Sequence, residues 1–180
     1  MLKLLRSRSF LALTATQLLG AFNDNAFKQV VLLLALSGAL PWIADEPWIT
    51  SWGQPLGLAA FALPFILFGV LGGALADRFS KRRVMVVANL GEVLVMALGG
   101  AAFAARSYEL VLGVLFLMGT QSAFFGPAKN GSIPELVRAR DLSRGNALVQ
   151  ATSSVAIVLG TALRSEEHPS ELQSRQYLVC

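Results

Sequence analysis

The sequence predicts an all-α membrane protein with five transmembrane helices and a cytoplasmic N-terminus. Of its 180 residues, 54% are hydrophobic and only 14% are charged. Apolar runs recur along the chain, and lysine and arginine concentrate in alternate connections between them. A hydrocarbon layer of roughly 30 Å needs about 20 apolar residues in a helix. A water-soluble domain with this composition would be unusual.

Five apolar runs have the length that a spanning helix requires. They cover residues 10–36, 56–75, 84–105, 108–125 and 142–163. The first run is too long for the apolar part of a signal peptide, and no small-residue cleavage site precedes a soluble domain. We therefore expect it to span the membrane like the other four.

The orientation follows from the basic residues. They lie before the first span, between the second and third spans, and between the fourth and fifth: Lys3, Arg6, Arg8, Arg78, Lys81, Arg82, Arg83, Lys129, Arg138, Arg140 and Arg144. The opposite connections contain a single basic residue, Arg106, together with acidic residues. By the positive-inside rule the N-terminus is cytoplasmic.

The net charge of +4 is dispersed over short loops without a nucleic-acid recognition module, so membrane lipids are expected partners and nucleic acid is not.

The last segment, residues 164–180, differs abruptly from the rest. "RSEEHPSELQSRQYLVC" is polar and resembles the translation of a sequencing-library adapter, so it is predicted to be a non-native tail; a short external tail is the alternative. His168 and Cys180, the single histidine and cysteine, lie there. We predict no catalytic residue, metal site or cofactor for the chain. Residues 1–163 offer no set of nucleophile, base and oxyanion donors, so no enzymatic activity is predicted for them.

The connection after the second span contains "GALADRFSKRR", residues 73–83. It resembles the cytoplasmic loop motif of the major facilitator superfamily, with Ser80 where the family usually has glycine. The resemblance implies a gating loop, to which we assign Gly73, Asp77, Arg78, Lys81, Arg82 and Arg83. Gly69 and Gly73 form a small-residue step that would let another helix approach closely. An ordinary basic loop that only sets topology is the alternative.

Two further stretches resemble one branch of that superfamily, the lysophospholipid transporters. They are "GAFNDNAFK" in the first span and "FGPAKNGSIPEL" after the fourth, where Asn130 replaces the usual aromatic residue. They also resemble the transporter part of fusions with an acyltransferase and an acyl-carrier-protein ligase. The resemblance places Pro127, Lys129 and Glu135 in a cytoplasmic loop, where Ser132 and Glu135 fit a capping box that begins a short interfacial helix.

This resemblance makes residues 1–163 a partial N-terminal bundle, the first five helices of a longer transporter. It implies that the whole protein moves lysophospholipid, chiefly lysophosphatidylethanolamine, across a bacterial inner membrane by alternating access. The partners are then that substrate and the missing remainder of the transporter. A transporter of an unrelated small solute or drug, and the membrane portion of a lipid-remodelling enzyme, are the alternatives.

Charged side chains inside the first span are the candidate pathway residues. Asp24 and Lys28 are four residues apart and share a helix face, so they are expected to neutralise each other. Asp24 with Asn23 or Asn25 would engage an ammonium group or a coupling cation, and Lys28 a phosphate. The alternative is an internal ion pair that only holds the helix in place. Glu92, in the third span, is either a second pathway carboxylate or a hydrogen-bond partner inside the bundle.

Overall fold

The computed structural model describes residues 8–78 and 80–162, and all regular secondary structure in this part is helical. The α-helices are α1 Arg8–Ser37, α2 Pro41–Ala44, α3 Pro47–Arg78, α4 Lys81–Ala104, α5 Tyr108–Leu136 and α6 Leu142–Ala162, with a 3-10 helix at Ala139–Asp141. The predicted all-α fold is confirmed. The predicted tail at 164–180 lies outside the described residues.

The long helices form a bundle in which neighbours along the chain are not always neighbours in space. Helix α5 packs against both α3 and α4, and α1 packs against α3 and α6. Helices α3 and α4 scarcely contact each other, although only residues 79 and 80 separate them in sequence. Helix α5 therefore lies between α3 and α4, and α1 joins this group to α6.

Two apolar clusters fill the interior near opposite ends of α1. The inner cluster consists of Phe10, Leu13, Ile133, Val137 and Val149. The outer cluster consists of Val31, Ala35, Ile43, Ile49, Val95, Ala102, Tyr108, Val111, Val114, Leu115 and Met118. In the outer cluster the buried Tyr108 hydroxyl donates a hydrogen bond of 2.9 Å to the Gly53 carbonyl, which ties the start of α5 to α3. The stretch of α1 between the clusters carries its polar residues.

Three helices of the described part are long and apolar enough to cross a membrane: Pro47–Leu75 in α3, Met85–Ala104 in α4 and Tyr108–Pro134 in α5. Their outward faces are apolar; Ile66 and Val70 of α3 are 78% and 85% exposed. The first and last predicted spans are also helical, as α1 and α6. They are not apolar enough over a comparable length, because polar side chains at positions such as 23–25, 28, 150 and 152–154 lower their mean hydropathy.

The second and fourth predicted spans are too short at one end. Helix α3 begins at Pro47 rather than residue 56, with proline in the first turn, where its missing N–H is not needed. Helix α5 continues past residue 125 to Leu136, so the predicted loop containing Pro127, Lys129 and Glu135 is helix instead. The predicted cap is also wrong, because the Ser132 hydroxyl donates 2.6 Å to the Ala128 carbonyl one turn back in the same helix. Membrane helices tolerate internal prolines of this kind, because neighbouring helices can satisfy the backbone groups that a proline leaves without a hydrogen bond.

Helices α3 and α5 cross closely at two glycines. A Cβ atom on Gly72 would lie 2.6 Å from the Ala123 carbonyl oxygen. A Cβ on Gly119 would collide with the Phe61 carbonyl oxygen. At the predicted step of Gly69 and Gly73, a Cβ at either position meets nothing within 4 Å among the described residues. The glycine of α3 that allows close contact with α5 is Gly72, the residue before Gly73.

We expect Gly119→Ala to destabilise the bundle by about 1–3 kcal/mol, because the added methyl group forces the backbones of α3 and α5 apart. Gly113→Ala is the matched control in the same helix, since its Cβ meets nothing within 4 Å. It should be neutral or stabilise by up to about 1 kcal/mol through helix propensity. Thermal unfolding of the two variants in detergent measures the difference. Equal melting temperatures would contradict the crossing described above.

Candidate functional site

Three consecutive residues in the middle of α1 contact different parts of the bundle. Successive side chains of an α-helix diverge by about 100°, so neighbours in sequence face different partners. Asn23 donates from Nδ2 to Glu92 Oε1 of α4 at 3.1 Å. Asp24 accepts at Oδ2 from the Ser122 hydroxyl of α5 at 2.5 Å. Asn25 donates from Nδ2 to the Ala21 carbonyl of its own helix at 2.7 Å. We call Asn23, Asp24, Asn25, Lys28, Glu92 and Ser122 the polar cluster.

Lys28 is held by two uncharged groups. Its Nζ donates to Asn25 Oδ1 at 3.1 Å. The same Nζ lies 4.7 Å from the centroid of the Phe61 ring of α3, a cation–π distance. The expected mutual pairing of Asp24 and Lys28 is wrong, since no ion pair between them within 4 Å occurs in residues 8–78 and 80–162. Each charge has its own partner instead.

Glu92 enters the cluster through a gap beside Gly20. A Cβ on Gly20 would lie 3.2 Å from Glu92 Oε2, so the absence of a side chain there gives the carboxylate room against α1. Both Glu92 and Asp24 are half-buried, and each accepts a hydrogen bond from a neighbouring helix. The structure therefore brings two carboxylates and one ammonium group together between the inner and outer apolar clusters.

Further polar contacts surround the cluster and fix the helices that form it. Gln17 of α1, only 6% exposed, donates to the Ser153 hydroxyl of α6 at 2.8 Å. Gln121 of α5 donates to the Ala88 carbonyl of α4 at 3.0 Å. Gly160 lets α6 approach α1, because its Cβ would lie 2.9 Å from Asn25 Cβ. Helix α1 thus has a specific contact with α6 on one side and with α3, α4 and α5 on the others.

The remaining predicted site residues lie elsewhere. Gly73 and Arg78 belong to the end of α3, Ser80 precedes α4, and the basic run 81–83 forms the first turn of α4. Arg78 and Arg83 are exposed, while the side chains of Asp77, Lys81, Arg82, Lys129 and Glu135 lie outside the described part. Pro127 is half-buried in α5, five residues after Ser122. Among the side chains that the structure describes, those of Arg78, Ser80, Arg83 and Pro127 form no hydrogen bond or ion pair with the polar cluster.

Two members of the site were missed by sequence reasoning. The sequence singles out neither residue, because hydroxyl groups are common in membrane helices and Phe61 lies in an apolar run. Their partners Asp24 and Lys28 are 98 and 33 positions away in sequence. No local pattern marks such contacts, because they depend on how α3 and α5 pack against α1.

The chemistry of this arrangement is that of a binding site for opposite charges. The backbones of Asp24 and Lys28 are about 6 Å apart along the helix axis, at 1.5 Å per residue. Both residues are half-buried in an apolar bundle, where electrostatic attraction is stronger than in water. A ligand with one positive and one negative group is complementary in charge to this pair.

Comparison with known proteins identifies the family. Residues 29–165 match the family model described as Major Facilitator Superfamily. The chain belongs to this superfamily. The family resemblance found in residues 73–83 is thereby confirmed, and the chain is a multi-pass membrane protein.

This superfamily chain is also similar to curated proteins named lysophospholipid transporter LplT. The relative from Serratia proteamaculans (strain 568) is 33% identical over 157 residues, covering 87% of this chain and 36% of the relative. The relative from Enterobacter sp. (strain 638) is 33% identical over 155 residues, covering 86% and 35%. The relative from Yersinia pestis (strain Pestoides F) is 33% identical over 162 residues, covering 88% and 36%. No solved structure matches the chain.

These relatives confirm the resemblance to the lysophospholipid branch of the superfamily. These relatives are named as transporters, which agrees with a non-enzymatic role for the matched region. The chain spans only about a third of their length.

We expect Ser122→Ala to destabilise the bundle by roughly 1.5–3 kcal/mol, because the half-buried Asp24 carboxylate loses its hydrogen-bond donor. Thr120→Val is the matched control, since the Thr120 hydroxyl bonds only to the Phe116 carbonyl of its own helix. Unfolding in mixed detergent micelles measures both. The assignment of Ser122 to the cluster is wrong if the two variants lose the same stability.

Proposed function

We propose that this chain is the N-terminal part of a secondary transporter that moves lysophospholipid across the bacterial inner membrane by alternating access. We call the longer protein the full-length transporter. The observation that carries the proposal is the separation of Asp24 and Lys28 onto different partners inside an apolar bundle. Lysophosphatidylethanolamine has a phosphate and an ammonium group in one headgroup, and this pair is complementary to it.

The roles of the polar cluster follow from its charges. Asp24 accepts the headgroup ammonium, and its Oδ2 is already positioned by Ser122. Lys28 binds the phosphate, for which it exchanges its bond to the neutral Asn25 oxygen. Glu92, which accepts a hydrogen bond from Asn23, is a second negative group in the site. The acyl chain remains against the apolar helix faces.

The second half of the site comes from the rest of the transporter. Alternating access in this kind of fold requires two helix bundles that rock about a central site, and the described helices form part of one bundle. The motif at residues 73–83 is the gating loop in this proposal, with its basic residues at the cytoplasmic surface. In this proposal the end of α5, whose sequence contains Pro127, Lys129 and Glu135, is on the same side of the membrane.

The names of the relatives support lysophospholipid over an unrelated small solute. They also support transport over a purely anchoring role for an enzyme domain. An inner-membrane location with a cytoplasmic N-terminus agrees with the distribution of basic residues.

The proposed topology predicts which positions react with a membrane-impermeant thiol reagent. In the full-length transporter with its native cysteines replaced, Trp52→Cys should be labelled in intact spheroplasts, because it lies near the external end of α3 and is 64% exposed. Arg83→Cys should be labelled only after permeabilisation, since it lies in the cytoplasmic first turn of α4. The reverse pattern would overturn the orientation.

The proposed headgroup site predicts a loss of lysophospholipid uptake. In spheroplasts expressing the full-length transporter, Asp24→Asn, Asp24→Ala and Lys28→Gln should each reduce uptake of labelled lysophosphatidylethanolamine by roughly 10- to 150-fold. This is the range expected when a charged hydrogen-bond partner is lost. Glu109→Gln is the control, because Glu109 is an exposed carboxylate at the start of α5.

Membrane insertion of each variant is checked by its amount in the membrane fraction. Normal uptake by Asp24→Ala at normal abundance would contradict the site. Loss of uptake by Glu109→Gln as well would indicate a general effect of charge removal rather than binding at Asp24.

A further inference from the structure

The separation of Asp24 from Lys28 needs a physical explanation. An acidic residue followed four positions later by lysine is well placed to form an ion pair on a helix. Attraction between opposite charges increases as water is removed, so half-burial in an apolar bundle should strengthen that pair. In the structure Lys28 contacts an amide oxygen and an aromatic ring instead.

The amide partner is held in place from two sides. Asn25 Nδ2 donates to the Ala21 carbonyl at 2.7 Å, which leaves Oδ1 directed at Lys28 Nζ. Helix α6 presses against the same side chain, because a Cβ on Gly160 would lie 2.9 Å from Asn25 Cβ. The Asn25 oxygen is therefore a fixed acceptor.

The aromatic partner is fixed by the packing of α3 against α5. The Phe61 ring centroid is 4.7 Å from Lys28 Nζ and 5.7 Å from the centroid of the Phe65 ring. The Phe61 backbone carbonyl lies at the close crossing with Gly119 of α5. The ring is thus held at a set position by a helix other than the one that carries Lys28.

We propose that Phe61 and Asn25 are positioning residues that keep the Lys28 ammonium apart from Asp24, so that both charges stay available to a zwitterionic ligand. This inference rests on the proposed function. Phe61 and Asn25 are neutral, so their contacts hold Lys28 without forming an ion pair. Ser122 does the same for Asp24. A lysophospholipid headgroup replaces these neutral partners, whereas it would have to break an ion pair if Asp24 and Lys28 were joined.

Phe61 is the residue to change, because the strength of its contact depends on the ring and not on a hydrogen bond. The full-length transporter is reconstituted in proteoliposomes, and KM and maximal rate are measured with labelled lysophosphatidylethanolamine. Phe61→Leu should raise KM by roughly 2- to 30-fold, the range of a lost cation–π contact, with a maximal rate near that of the wild type. Phe61→Trp should keep KM near the wild-type value, since tryptophan is the strongest cation–π partner. Phe68→Leu is the control in the same helix, because the Phe68 ring packs against Phe116 and Phe124 rather than against Phe61.

The double variant Phe61→Leu with Asp24→Asn separates positioning from packing. If Phe61 acts by keeping Lys28 from Asp24, its loss should add little once Asp24 has no charge. Equal damage by Phe61→Leu and Phe61→Trp, or full additivity in the double variant, would overturn the inference.

Asp24→Asn and Lys28→Gln, measured in parallel, distinguish the two proposals. If neither raises KM, the proposed headgroup site is wrong. If both raise KM while Phe61→Leu leaves it unchanged, the headgroup site stands and only the positioning role of Phe61 fails.

Discussion

The need to satisfy charged and amide groups inside an apolar bundle determines how the helices are arranged around α1. A charge near the middle of a membrane is costly unless it contacts a polar partner or a water-filled cavity. Helix α4 supplies Glu92 to Asn23, α5 supplies Ser122 to Asp24, α3 supplies the Phe61 ring to Lys28, and α6 supplies Ser153 to Gln17. Each of the other four long helices therefore has a contact with a specific residue of α1.

Close packing complements these polar contacts. The hydrophobic effect does not drive helices together in lipid, so association depends on van der Waals contact and hydrogen bonds. Glycines at 72, 119 and 160 allow backbones to approach at the α3–α5 and α1–α6 crossings. The second of these crossings touches Asn25, and the first places Phe61. The positions of the side chains in the polar cluster thus depend on glycines, which have no side chain of their own.

The sequence was sufficient for the fold class, the number of long helices and the polar positions of α1, because composition, hydropathy and charge act locally. It was less informative about helix ends: the proline at 127 and the capping pattern at 132–135 favour a break after residue 125, yet α5 continues to Leu136. It also predicted an Asp24–Lys28 pair, since spacing along one helix was the available geometry. Ser122 and Phe61 compete successfully for those charges, and their proximity arises from tertiary packing that periodicity does not encode.

The order of contacts along the chain has a consequence for assembly. Helices α3 and α4 follow each other directly but hardly touch, and both pack on α5, which is made later. Helix α1, made first, has its most extensive interface with α6, the last helix of the described part. During synthesis three long helices, α3, α4 and α5, are therefore made before the polar face of α1 can contact α6. Non-local closure of this kind is slow, and the glycine at 160 is the point at which the first and last described helices meet.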